Sequence, residues 1–194
     1  DIYGPRYVAG VLNDKTTLTY NSTGQVATST NGLGQTTTFS NFDDFGNPQT
    51  ITDPSGRVMN ITYDLRGRVL TSTFKSSALA TDVETTTFTY DNAGLITQIS
   101  TPSGAYKKMY YDLVQRLNKI EEYDETNTYL GKVEFTLDKM SNMTALKVFN
   151  ASNVQIRTST SQYDTKSSLF KDIGSLNQTD TFTYDNNSNL TQVN

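Results

Sequence analysis

The side chains whose type and spacing could do chemistry in this sequence are acidic and phenolic. Asp64, Asp91, Asp112, Asp138, Asp164 and Asp185 recur along the chain. Tyr20, Tyr63, Tyr90, Tyr111, Tyr163 and Tyr184 each stand one place before an Asp or Asn. A row of carboxylates suggests calcium, which takes six to eight oxygens at about 2.3–2.6 Å. It also suggests the acid/base pair of glycoside hydrolysis, with carboxyl groups roughly 5–10 Å apart. A row of tyrosines suggests stacking on sugars. The sequence holds no histidine and no cysteine. The commonest general base, the commonest metal ligand and every disulfide are therefore absent.

The elements that must position these residues repeat. Phe88-Thr89-Tyr90-Asp91-Asn92-Ala93-Gly94-Leu95-Ile96 returns as Phe182-Thr183-Tyr184-Asp185-Asn186-Asn187-Ser188-Asn189-Leu190. Ile61-Thr62-Tyr63-Asp64-Leu65-Arg66-Gly67-Arg68-Val69 and Leu18-Thr19-Tyr20-Asn21-Ser22-Thr23-Gly24-Gln25-Val26 are weaker copies. With Phe42-Asp43, Tyr111-Asp112, Leu137-Asp138 and Tyr163-Asp164, the anchors fall at 20, 42, 63, 90, 111, 137, 163 and 184. Their differences are 22, 21, 27, 21, 26, 26 and 21 residues. Self-similarity at such a period marks a repeat architecture. An array of about eight repeats is expected over 16–194, with 1–15 as an N-terminal extension or lead-in strand.

Each repeat reads as a hairpin. Asp suits the first position of a type I turn and Gly the left-handed position that closes it, as at Gly67 and Gly94. The register then sets Tyr63 opposite Val69, Tyr20 opposite Val26, Tyr90 opposite Ile96, Tyr111 opposite Leu117, Tyr163 opposite Leu169 and Tyr184 opposite Leu190. Strand alternation puts Ile61, Tyr63, Val69 and Thr71 on one apolar face. Second turns such as Asp53-Pro54-Ser55-Gly56 join successive hairpins. Longer connections, at 76–85 and 124–131, are expected to account for the longer steps.

This geometry weakens the case for chemistry. The aspartates recur once per two strands, roughly 10 Å apart, so neighbours cannot share a calcium ion. Nothing in a regular row raises the pKa of one carboxyl above the rest. The aspartates read as turn-formers and the tyrosines as packing residues. No catalytic residue, metal site or cofactor is expected.

Composition agrees. Hydrophobic residues make up 35% and charged residues 19% of 194 residues, with a polar remainder dominated by Thr, Ser and Asn. Thr and Tyr favour strands, and Asn and Ser favour turns. A net charge of −4 speaks against nucleic acid, and no apolar run reaches the ~18 residues of a membrane span. The chain opens on Asp1, which reads as a processed or excised segment. About sixteen strands at ~4.8 Å would form a sheet of ~75 Å, which must curl. Its open edges invite more chain.

The unit Phe-Thr-Tyr-Asp-x-x-Gly-x-Leu/Ile/Val at a step of about 21 residues resembles the Rhs/YD-repeat family over 16–194. Gly is replaced at Gln115, Ser141, Ser167 and Ser188, and Tyr at Phe42 and Leu137. The resemblance implies an all-β fold of tandem hairpins in a long, spiralling antiparallel sheet, part of a hollow shell. It implies a non-enzymatic scaffold in a large secreted or cell-surface protein of a bacterium, serving toxin encapsulation or adhesion. The expected partners are the remainder of a longer repeat chain or further copies through open edges, with toxin cargo or surface glycans. Two other readings stay open: a self-assembling subunit of an extracellular fibre or adhesin, and a carbohydrate-binding module.

Overall fold

A computed structural model describes residues 1–4 and 15–194. The described residues are all-β and antiparallel, in two units. The first, Asp1–Phe88, holds β1 (Ile2–Tyr3), β2 (Lys15–Tyr20), β3 (Val26–Thr30), β4 (Thr36–Phe42), β5 (Pro48–Thr52), β6 (Val58–Tyr63), β7 (Val69–Lys75) and most of β8 (Glu84–Tyr90). The second, Thr89–Asn194, holds the end of β8 with β9 (Ile96–Ser100), β10 (Tyr106–Tyr111), β11 (Leu117–Tyr123), β12 (Tyr129–Leu137), β13 (Met143–Asn150), β14 (Gln155–Tyr163), β15 (Leu169–Ile173), β16 (Thr179–Tyr184) and β17 (Leu190–Val193). Within each unit every strand pairs with its neighbours in sequence. Most of the proposed lead-in, residues 5–14, lies outside the described residues; Ile2 and Tyr3 pair with Thr16 and Lys15.

One turn recurs along both edges of each unit. At Asp64 the N–H donates to the Arg68 carbonyl at 2.9 Å, and the Gly67 N–H donates back to the Asp64 carbonyl at 2.9 Å. The closing residue takes a positive φ, 75° at Gly67 and 96° at Gly94. Where glycine is lost the backbone keeps this conformation, with φ of 66° at Gln115, 70° at Ser141 and 65° at Ser167 and Ser188.

The anchor pairs are those expected: Tyr20 with Val26, Tyr63 with Val69, Tyr111 with Leu117, Tyr163 with Leu169 and Tyr184 with Leu190. Simple alternation fails one step later. A bulge follows each of these pairs, so Thr62 faces Thr71 and Ile61 faces Ser72. Thr71 thus lies opposite the Ile61 and Tyr63 face, its hydroxyl 2.6 Å from that of Thr62. The extra residue, Leu70, has no ladder partner and bends the strand.

The longer steps have two causes. The 27-residue step contains the connection between β7 and β8, as expected. The 26-residue steps do not come from a long connection at 124–131. Asp124 makes the standard turn, its N–H to Thr128 O at 3.0 Å, and Asn150 makes another with Val154 at 3.0 Å. The additional residues lengthen β12 and β14 to nine residues and β13 to eight. Gly131 lies inside β12, paired with Glu122 and Asn150. A Cβ there would meet the Phe149 carbonyl oxygen at 2.3 Å, so no other residue fits.

Within each unit strands touch only their ladder neighbours, and the sheet is a single layer. Val58, 6% exposed, and Ile61, 9% exposed, are the buried apolar residues among those described. They lie on opposite faces of β6, which has a strand on either side. Cross-strand pairs therefore supply the side-chain stabilisation, at roughly 0.2–1 kcal/mol each.

Candidate functional site

The aspartates are bound up in their own turns. Asp64 Oδ1 accepts the N–H groups of Arg66 and Arg68 at 2.8 and 3.0 Å. Its Oδ2 takes Arg68 Nε at 2.7 Å and pairs with Nη2 at 2.6 Å. Asp112 repeats this with Val114, Arg116 and the Arg116 guanidinium at 2.7 Å. Asp164 accepts from Lys166 and Ser168, Asp91 from Leu95, and Asp185 from Asn187 and Asn189. At Asp138 and Asp185 the second oxygen takes a side-chain amide, from Asn142 and Asn189, at 2.9 Å each.

These bonds favour the charged form. The Arg68 side chain holds Asp64 below the ordinary carboxylate range. The backbone N–H groups of Arg116 and Ser168 do the same for Asp112 and Asp164, as the Asn142 and Asn189 amides do for Asp138 and Asp185. A general acid needs the opposite shift. Among the described residues no three acidic groups converge to hold a metal ion.

Neighbouring turns are laced together. Arg116 Nη1 reaches the Asp138 carbonyl at 2.5 Å, Asn142 Nδ2 reaches Ser167 Oγ at 3.1 Å, and Lys166 Nζ reaches the Asn186 carbonyl at 3.4 Å. The carboxylates themselves are not brought together.

The tyrosines do more than pack. Tyr63 donates its hydroxyl to the Pro48 carbonyl at 3.0 Å, Tyr111 to Ile96 at 2.8 Å, Tyr163 to Met143 at 3.1 Å and Tyr184 to Leu169 at 2.8 Å. Each acceptor is the first residue of the strand that follows the preceding repeat's turn. The β5–β6 ladder runs from Thr50–Asn60 to Thr52–Val58, and the Tyr63 bond closes its far end. The phenol thus latches one repeat to the one before. Tyr90 ends β8, half-buried, and Tyr20 is 59% exposed.

A second group of residues escaped the sequence reading. It lies in the second unit, on the face opposite Tyr111. Tyr106 and Tyr123 stack with centroids 4.7 Å apart, Tyr129 meets Tyr123 edge-on at 5.6 Å, and Tyr106 hydrogen-bonds Asn127. Lys119 sits 3.7 Å over the Tyr110 ring. Glu121 accepts from Tyr110 at 2.6 Å, Tyr123 at 3.1 Å and Lys119 at 2.7 Å. Burial pushes the Glu121 carboxyl up, but these three donors outweigh it and hold the group below its ordinary range. The same bond pushes Tyr110 up to about 12. The signal was present as alternation: Tyr106, Lys108 and Tyr110 on one strand, Lys119, Glu121 and Tyr123 on the next.

Known proteins resemble the chain in one sequence segment and in fold. Residues 20–58 match the RHS Repeat family model. No curated protein matches the chain. The fold resembles a crystal structure of TcdB2-TccC3-Cdc42, with TM-score 0.77 and 18% identity over 94% of this chain and 11% of that one. TcdB2-TccC3 without its hypervariable C-terminal region gives TM-score 0.77 at 19% identity, again over 94% of this chain and 11% of that one. A Photorhabdus luminescens Tc holotoxin pore gives 0.68 at 21% identity, over 82% of this chain and 9% of that one. The chain spans about a tenth of the length of these structures. The sequence thus matches an RHS repeat at residues 20–58, and the chain shares its all-β fold with these solved structures.

Proposed function

We propose that the chain is a segment of an Rhs-like β-shell in a large secreted bacterial protein, and that it serves as wall rather than catalyst. The observation that carries this reading is the single-layer sheet with its repeated latch. Four repeats, at Tyr63, Tyr111, Tyr163 and Tyr184, bond in this way to the one before, and neither face is covered within a unit. Such a sheet buries its apolar side only when more wall or an enclosed partner lies against it. The turn aspartates support a non-enzymatic role, since their oxygens serve the backbone and the pKa values of Asp64, Asp112, Asp138, Asp164 and Asp185 move away from proton donation. Among the described residues no helix is long and apolar enough to cross a membrane. Toxin encapsulation is the task that fits a wall from a chain similar to Tc proteins, with adhesion as the alternative use.

The test is protease protection in the full-length natural chain. Deleting the repeat at 111–136 should open the wall and expose otherwise resistant segments to cleavage. Unchanged protection would argue against a shell. Regular filaments of the purified chain in electron micrographs would favour the fibre reading instead.

A further inference from the structure

The face of the second unit that carries Tyr110 bears two rows of alternating charge. Ladder pairing sets Lys108 opposite Glu121 and Glu121 opposite Lys132. Two residues along, it sets Lys119 opposite Glu134 and Glu134 opposite Lys147. Four lysines share two carboxylates, a local surplus of two positive charges in a chain of net charge −4.

The ion pairs that form leave two diagonal corners. Lys119 takes Glu121 and Lys132 takes Glu134, each at 2.7 Å. Lys108 lies over the rings of Tyr106 and Tyr123, 5.6 and 5.1 Å from their centroids. Lys147 is exposed. Among the described residues neither corner lysine has a carboxylate in ion-pair range. Beside Lys147 a depression of about 270 Å³ is lined by Asn118, Lys119, Glu134, Phe135, Thr136 and Lys147.

We propose that this face binds an acidic polysaccharide of the uronic-acid type. One carboxylate pairs with Lys147 at the depression, and a second pairs with Lys108, three strand spacings across and two residues along, ~16 Å away. The depression decides between kinds of anion. Its wall mixes donors, at Asn118 and the lysines, with the acceptor Glu134 and the hydroxyl of Thr136. Sugar hydroxyls donate and accept together, whereas an ionised peptide carboxylate only accepts. The two glutamates within the rows disfavour a densely charged polyphosphate. This proposal stands independently of the wall reading, since a shell can bind glycan on one face or on none.

Native electrophoresis of the whole chain in gels carrying polygalacturonate, neutral galactan or polyglutamate tests it. Polygalacturonate should retard the chain, less so at high salt, and neutral galactan should not. Lys147→Gln and Lys108→Gln should each weaken retardation about tenfold, the loss of one charge-assisted bond. Lys107→Gln, on the other face and paired with Glu122 at 2.7 Å, should leave it unchanged. Lys147→Arg should restore binding, and unchanged circular dichroism confirms that the variants fold. No retardation, equal retardation by galactan, equal loss in Lys107→Gln or stronger retardation by polyglutamate would overturn the proposal.

Discussion

Ser167 sits at φ 65°, where the corresponding residue of the Asp64 turn is Gly67. An L-residue in this left-handed region costs roughly 1–2 kcal/mol, partly offset by the greater unfolded-state freedom of glycine. Gln115→Gly should therefore raise stability by about 0.5–1 kcal/mol, read as a higher urea midpoint, and Ser167→Gly should gain less because it also loses the bond from Asn142. The aspartates make a second prediction. The folded pKa values of Asp64, Asp112, Asp138, Asp164 and Asp185 lie below the ordinary carboxylate value, so the folded state binds fewer protons near that value than the unfolded state does. Their contribution is complete above pH ~4 and is lost as pH falls through the folded values. Urea midpoints should be nearly equal at pH 7 and 5 and fall at pH 3. Asp64→Asn should keep the turn, because Asn21 and Asn31 accept the same backbone N–H groups. It should lose the Arg68 pair and soften the acid dependence. At this scale the sequence was legible, because turn chemistry is local. Asp or Asn at the start and a left-handed residue at the close suffice to define it.

The element that gives the array its continuity is the tyrosine latch. A phenol-to-carbonyl bond contributes about 1 kcal/mol. Tyr63→Phe, Tyr111→Phe and Tyr184→Phe should each lower stability by about that amount in urea unfolding. Tyr20→Phe should cost little, since Tyr20 makes no such bond among the described residues. The latch was not legible in the sequence. Its acceptor is a main-chain carbonyl in the preceding repeat, and any residue can supply one, as Pro48, Ile96, Met143 and Leu169 do. The bulges were hidden for a related reason. Anchor pairing follows from the turn alone, but the residue expelled from the ladder, such as Leu70, depends on how the strands twist beyond it. That is why Thr71 changed faces while Tyr63 and Val69 held theirs. The longer strands at β12–β14 were hidden because Asp124 and Asn150 begin turns that lack the Pro-Ser-Gly signature of Asp53-Pro54-Ser55-Gly56.

Across each whole unit, stability passes from strand to strand rather than through a shared core. Protection from hydrogen exchange should then follow position in the ladder. Amides of β6, around Val58 and Ile61, should exchange slowest in the first unit. Those of β17, where all four residues are exposed, should exchange fastest in the second. Equal protection along a unit would point to a cooperative core instead. The fold class was legible at this scale because the repeat declared it eight times over. The charged and aromatic face of β10–β13 was not, because its residues come from strands whose partners are fixed only once the bulges are placed. The shared turn also has a geometric consequence. Its hydrogen bonds are made by the first, third, fourth and fifth positions, which leaves side chains at the tip free to vary. Leu65 and Leu113 stand there 89% and 104% exposed. Along one edge of a unit, successive tips recur every two strands, roughly 10 Å apart. The edge is therefore a ruled scale, on which changing single letters sets spaced marks without disturbing the rule.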